Sequence, residues 1–249
     1  ARVIRVICAY NGIHRAATGD RLQVVLDACA ARGMWTIVAF TDFYKGTNLH
    51  PQGDTAYYDL PGCCGLTLLN HQWFQGGYTV NYLPQVLYLA DRFRNHPAVF
   101  AWQLGNEIRD IASPATFLAF VQDVTARLRT ADPNHMISIG MIGYRNSGLT
   151  FAQARQVYAN VSCVSTHTYD GSDPDDDSAL ADVLGKPYVI DEAGFGGTGH
   201  RTALTDADLH KWLARGADGY MHWGLMATAY DNGDGDSWFG IDRVFHNAD

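Results

Sequence analysis

No stretch of the chain approaches the roughly 18 consecutive apolar residues that a membrane-crossing helix requires, although 47% of its 249 residues are hydrophobic. A helical membrane span is therefore not expected. A basic surplus is lacking too: 18 Lys and Arg stand against 26 Asp and Glu, a formal net charge of −8. That balance argues against nucleic acid or an anionic membrane as partner and is compatible with a neutral ligand. Cysteine is scarce, with five residues and no spacing that resembles a zinc site. Cys8 and Cys163 fall in expected strands and Cys29 in an expected helix, where a buried thiol behaves as a small hydrophobe. An odd count leaves at least one thiol unpaired or intermolecular. The adjacent Cys63 and Cys64 are read as two free loop thiols or a strained vicinal disulfide, so the redox compartment stays open. No linker, low-complexity tract or shift of composition divides the chain, and one domain over residues 1–249 is expected. No hydrophobic leader precedes Ala1, which reads as a mature form, a trimmed chain or a piece of a longer one.

What is present is an alternation. Short β-branched runs at 3–9, 35–40, 99–104, 136–142, 161–167, 188–191 and 219–225 are the strand candidates. Their starts lie mostly about 25 to 37 residues apart, near the size of a βα unit. Helical patterns fill the gaps: 22–31 closes at Gly33, 83–93 precedes the third run, and Ser113-Pro114 supplies an N-cap and an N1 proline. A further helix opens at Thr205-Asp206 and ends near Gly216. Repeated βα units of this kind form parallel sheets. At this length they suggest an α/β fold of the TIM (β/α)8-barrel type. Seven strand candidates are visible where a complete barrel has eight.

Active sites of such barrels lie at the C-terminal ends of the strands. Two apolar strand runs end there in a glutamate: one closes in Gly105-Asn106-Glu107, the other in Ile190-Asp191-Glu192. A pair of carboxylates is what glycoside hydrolysis requires, one to protonate the leaving oxygen and one to attack the anomeric carbon or activate water. Asn106 is suited to hydrogen-bond a sugar 2-hydroxyl. Arg5 would hold Glu192 ionised, or serve as a buried ion-pair partner. The Tyr169 hydroxyl could orient Glu192. Glu107 would have to be protonated, its pKa raised in part by Glu192. Trp223 offers a flat apolar face to sugar C–H groups. His167 is either a site residue or a satisfied core histidine. Strand alternation points Asp191 away from Glu192 and gives it a structural role.

These residues, in this order, resemble glycoside hydrolase family 5, the retaining barrel glycosidases that include cellulases and β-mannanases. Asn106-Glu107 match the family's acid/base position after its fourth strand, and Glu192 its nucleophile after the seventh. Arg5 matches the arginine of the second strand, His167-Thr168-Tyr169 the His-x-Tyr after the sixth, and Trp223 the tryptophan of the last. The resemblance implies hydrolysis of a β-1,4-linked glycan of mannan or cellulose type by two carboxylates with retention. Transglycosylation or sugar binding without turnover are the alternatives. It implies no cofactor, an oligo- or polysaccharide partner, and favours a secreted or periplasmic setting.

Measured against the family, the first βα unit and the last helix are missing, so the barrel is read as incomplete. A homodimer contact or a terminal segment is expected to cover the open edges. The aromatic loop 42–78 holds Tyr44, His50, Tyr57, Tyr58, His71, Trp73, Phe74 and Tyr78. Its Leu69-Asn70-His71-Gln72-Trp73-Phe74 passage and the 92–96 region are similar to fungal-type β-mannanases. Trp73 and His71 are candidates for sugar subsites or for packing. The acidic run 173–177 is read as a solvated loop. The run 231–236 has the composition of a calcium loop but not its order, and is read as a surface turn with no metal.

Overall fold

The computed structural model describes residues 2–8, 15–44, 58–59, 68–171, 176–195 and 201–223. It divides into two compact units, Ala1–Ser162 and Cys163–Asp249. The first unit runs β1 (Val3–Ile7), α1 (Arg15–Ala30), β2 (Trp35–Ala39), β3 (Tyr58–Asp59), β4 (Leu68–Leu69), α2 (His71–Gln75), α3 (Tyr82–Phe93), β5 (Val99–Gln103), α4 (Pro114–Ala131), β6 (Met136–Ser138) and α5 (Phe151–Tyr158). The second runs β7 (Val164–Tyr169), α6 (Asp177–Leu184), β8 (Tyr188–Gly194), α7 (Arg201–Ala214) and β9 (Gly219–His222). Cys63, Cys64, His50, Tyr57 and the run 231–236 lie outside the described residues.

All seven expected strands form, and all pair in parallel. The first unit holds β1-β2-β5-β6 and the second β7-β8-β9. Partners in a parallel pair share a face. Ile7, Ala39, Gln103 and Ser138 therefore lie level on one side of the first sheet. Val6, Val38, Trp102 and Ile137 lie on the other. Most strands are shorter than their apolar runs because the ladder continues through single bonds, such as Cys8 N–H to the Ala39 carbonyl at 2.7 Å.

Trp102 stacks on Phe40 with centroids 5.2 Å apart and donates its indole N–H to Asp132 at 2.6 Å. The buried Asp132 carboxylate also accepts the backbone N–H groups of Asn134 (2.8 Å) and His135 (3.2 Å), and lies 2.6 Å from the His135 ring. That set of partners ties the end of α4 to β5. The α4 cap is as expected: Ser113 Oγ accepts from Thr116 N–H at 3.2 Å, with Pro114 at N1.

Three expectations change. The helix expected at 22–31 begins at Arg15, and its Leu22, Leu26 and Cys29 form the buried stripe. The acidic run is not wholly a solvated loop. Asp177 starts α6 and is fully buried, while residues 173–175 lie outside the described residues. Cys8 and Cys163 flank their strands rather than lie in them; Cys163 is buried and Cys8 half-buried, and desolvation pushes each thiol up to about 12, which keeps it protonated. Among the described residues no helix is long and apolar enough to cross a membrane.

Candidate active site

Glu107 follows β5 at a backbone φ of +51°, a left-handed conformation that a side-chain-bearing residue adopts only at a cost. Neighbouring backbone enforces it. The Glu107 N–H donates to the Gly140 carbonyl at 2.7 Å and Asn106 N–H to Thr41 at 2.7 Å. Two glycines make room. A Cβ on Gly105 would lie 2.6 Å from the Ile108 side chain, and one on Gly140 (φ +79°) 2.6 Å from Gln103 Cδ. Gly140→Ala is expected to destabilise the fold by roughly 2–4 kcal/mol, combining left-handed strain with overpacking. It should also lower turnover by displacing Glu107; urea unfolding and kinetics check the two effects.

The Glu107 carboxylate is buried, with Tyr44 donating its hydroxyl to Oε2. Arg109 Nη1 stands 4.0 Å from the same oxygen and donates to the Glu107 carbonyl at 3.2 Å. The guanidinium lies over the Phe43 ring at 4.4 Å. Burial, reinforced by the Glu107 charge, pushes the Tyr44 hydroxyl well above its ordinary value and keeps it a donor. Beside this group Arg5 donates from Nε to Gln103 Oε1 (2.6 Å) and from Nη2 to Asn106 Oδ1 (2.8 Å). Asn106 Nδ2 in turn donates to Asp42 Oδ1 at 3.1 Å. The amide of Asn106 is thus fixed at both ends, the preorganisation a substrate-orienting group needs.

His71 and Trp73 part company. Trp73 is buried at 2% exposure, with Phe74, Tyr78, Tyr82 and Phe120 centroids between 4.9 and 6.1 Å away. It packs α2 against α3 and α4 and has no face left for a sugar, so its reading as a subsite residue is corrected to packing. His71 opens α2 with its side chain one-third exposed, and its Nδ1 lies 2.7 Å from Asp110 Oδ2. Asp110 Oδ1 accepts from the N–H groups of Ala112 (3.1 Å) and Ser113 (3.3 Å). A carboxylate anchored in this way orients the ring through Nδ1, leaving Nε2 as the nitrogen not engaged by Asp110.

In the second unit, β8 carries one more residue than either neighbour. Thr166 pairs with Ile190 but His167 with Glu192, and the step from Ile190 to Ala193 spans only Tyr220 to His222 in β9. Such a bulge re-aims side chains, and the alternation that would turn Asp191 away from Glu192 fails here. Glu192 Oε2 lies 3.6 Å from His167 Nδ1, and Asp191 Oδ1 lies 3.4 Å from His167 Nε2, all three side chains buried. The Tyr169 hydroxyl donates to Glu192 Oε1. Trp223 follows β9, its N–H donating to the Ala193 carbonyl at 2.7 Å, and is partly exposed. The structure therefore groups Arg5, Asn106 and Glu107 in one unit, and His167, Tyr169 and Glu192 in the other. Tyr44, Arg109 and Asp110 escape sequence reading: Tyr44 was one ring among many in an aromatic loop, and nothing marks the charges of Arg109 and Asp110 as buried.

Each unit thus holds a buried glutamate, bonded by a tyrosine hydroxyl, on or just after a parallel strand. The family model for cellulase (glycosyl hydrolase family 5) matches residues 1–228, and the chain belongs to glycosyl hydrolase family 5. It is 31% identical over 149 residues to mannan endo-1,4-beta-mannosidase F of Aspergillus clavatus, covering 54% of this chain and 32% of that protein. It is 28% identical over 181 residues to the probable mannan endo-1,4-beta-mannosidase F of Emericella nidulans, covering 65% and 40%. The chain thus spans well under half the length of these relatives. The solved structure of the hyperthermostable endo-1,4-beta-D-mannanase from Thermotoga petrophila superposes with a TM-score of 0.72 at 15% identity, over 97% of this chain and 85% of that one. That similarity establishes the TIM-barrel fold class.

Proposed function

We propose that the chain forms the catalytic part of a β-1,4-mannan hydrolase that acts with retention, with Glu107 as acid/base and Glu192 as nucleophile. The observation that carries this reading is the shared dress of the two carboxylates. Each is buried near the C-terminal end of a parallel strand, Glu107 just beyond β5 and Glu192 within β8, with a tyrosine hydroxyl on one oxygen. Tyr44 and Arg109 both approach Glu107 Oε2, which biases the transferable proton to Oε1. Glu192 is engaged on Oε1 by Tyr169 and approached on Oε2 by His167, which fixes the attacking carboxylate. Asn106, held by Arg5 and Asp42, supplies the contact to the 2-hydroxyl. Trp223 supplies the apolar platform.

The curated relatives are named as mannan endo-1,4-beta-mannosidases, which supports β-mannan as the substrate. Cellulose-type glucan is the second reading, because the matching family model carries the name cellulase. Reducing-end release from linear β-1,4-mannan, glucomannan and carboxymethylcellulose separates the two. Faster release from mannan than from carboxymethylcellulose is expected. The reverse order would favour the glucan reading, and binding without release would leave a carbohydrate-binding barrel.

His71 is proposed as a sugar contact through Nε2. Its replacement by alanine should raise KM by about two- to tenfold, the worth of one neutral hydrogen bond, with kcat little changed in steady-state assays on mannan.

A further inference from the structure

We propose that Asp191 is a positioning residue that sets the attacking geometry of Glu192 through the ring of His167. The inference rests on the reading of Glu192 as the nucleophile and assigns a function to the residue beside it. Three observations converge. The extra residue in β8 falls at Asp191, between the Thr166–Ile190 and His167–Glu192 pairs. Without it, consecutive side chains would alternate across the sheet and only one carboxylate could reach the ring. Next, His167 lies between both, Nε2 3.4 Å from Asp191 Oδ1 and Nδ1 3.6 Å from Glu192 Oε2, so each ring nitrogen faces a different carboxylate. Finally, all three side chains are almost completely removed from water, where neighbouring carboxylates repel strongly unless a donor stands between them.

The two nitrogens of one imidazole cannot be chosen independently. A carboxylate at ion-pair range biases both the orientation of an imidazole and the placement of its protons, and Asp191 at 3.4 Å stands closer to the ring than Glu192 at 3.6 Å. Asp191 thus biases, through its charge, the ring that faces Glu192 Oε2, while Tyr169 independently holds Oε1. With both oxygens placed, one lone pair of the carboxylate keeps a constant line of attack. Loosening the ring would release one of the two restraints and leave substrate binding untouched. Burial, and secondarily the Asp191 charge, raises the Cys163 thiol, which stays protonated and takes no part.

The test is a double-mutant cycle on purified protein with β-1,4-mannan as substrate. Asp191→Asn keeps the shape and removes the charge. It is expected to lower kcat roughly 10- to 100-fold, the scale of a sub-ångström to ångström misplacement of a reacting group, with KM within about twofold. In a His167→Gln background, or a His167→Ala one if the former folds poorly, the same change should cost less than about twofold, because the route it uses is gone. Equal losses in both backgrounds would overturn the proposal, as would an Asp191→Asn enzyme with wild-type kcat or with its loss confined to KM. Glu192→Gln is run alongside. Hydrolysis that survived it would overturn the nucleophile reading itself, an outcome distinct from an inert Asp191 next to an essential Glu192.

Discussion

Glu192→Gln should reduce hydrolysis of β-1,4-mannan by on the order of 10^4- to 10^6-fold, with the fold retained. The substitution is nearly isosteric. Its amide oxygen can still accept the Tyr169 hydroxyl that Oε1 accepts in the native chain, so packing around the buried side chain is preserved. What disappears is the anionic lone pair that forms the bond to the anomeric carbon. An amide cannot replace it, and no covalent glycosyl-enzyme ester can form or break. The loss should fall on kcat, with unaltered KM and an unaltered unfolding midpoint. A variant that lost activity only in step with its stability would point to a structural role for Glu192.

Glu107→Ala should lose about 10^2- to 10^4-fold on mannan, the usual worth of a general acid and base, and the pattern of loss is more telling than its size. Glu107 acts twice on the proposed path. It first protonates the departing oxygen, then deprotonates the water that opens the ester. An aryl β-glycoside with a strongly acidic phenol leaves without help, so its first step should survive the substitution and the ester should accumulate. Added azide, a small anion needing no base, should then restore turnover and yield the glycosyl azide. The cavity left beside Tyr44 and Arg109 gives the anion both room and positive charge. Equal losses on good and poor leaving groups, with no azide effect, would contradict the role.

The legibility of this protein in its sequence follows from which forces act locally. All seven parallel strands could be read because each is a short run of β-branched and apolar residues bounded by polar ones. The Ser113-Pro114 start of α4 could be read because a cap is a contact between residues three apart. Glu107 and Glu192 stood out as the acids that end apolar strands. The failures are equally specific. Strand alternation misplaced Asp191, because a bulge is set by pairing with β7 and β9 and leaves no mark in β8 alone. Trp73 admits sugar stacking or packing from sequence alone, and the second holds: its segment forms α2 against α3 and α4, where the ring is core. Tyr44 and Glu107 are separated by 63 positions, and nothing local singles out which of several tyrosines meets the acid.

The capture of the covalent intermediate tests the central claim most directly. The protein would be incubated with a 2-deoxy-2-fluoro-β-mannoside bearing an activated leaving group, digested, and mapped by mass spectrometry. The expected result is one sugar attached to the peptide that contains Glu192, absent from Glu192→Gln, with the initial product of mannan cleavage appearing as the β-anomer by NMR. Attachment at another residue, or no attachment together with an initial α-anomer, would contradict the assignment of Glu192 as the nucleophile of a retaining enzyme.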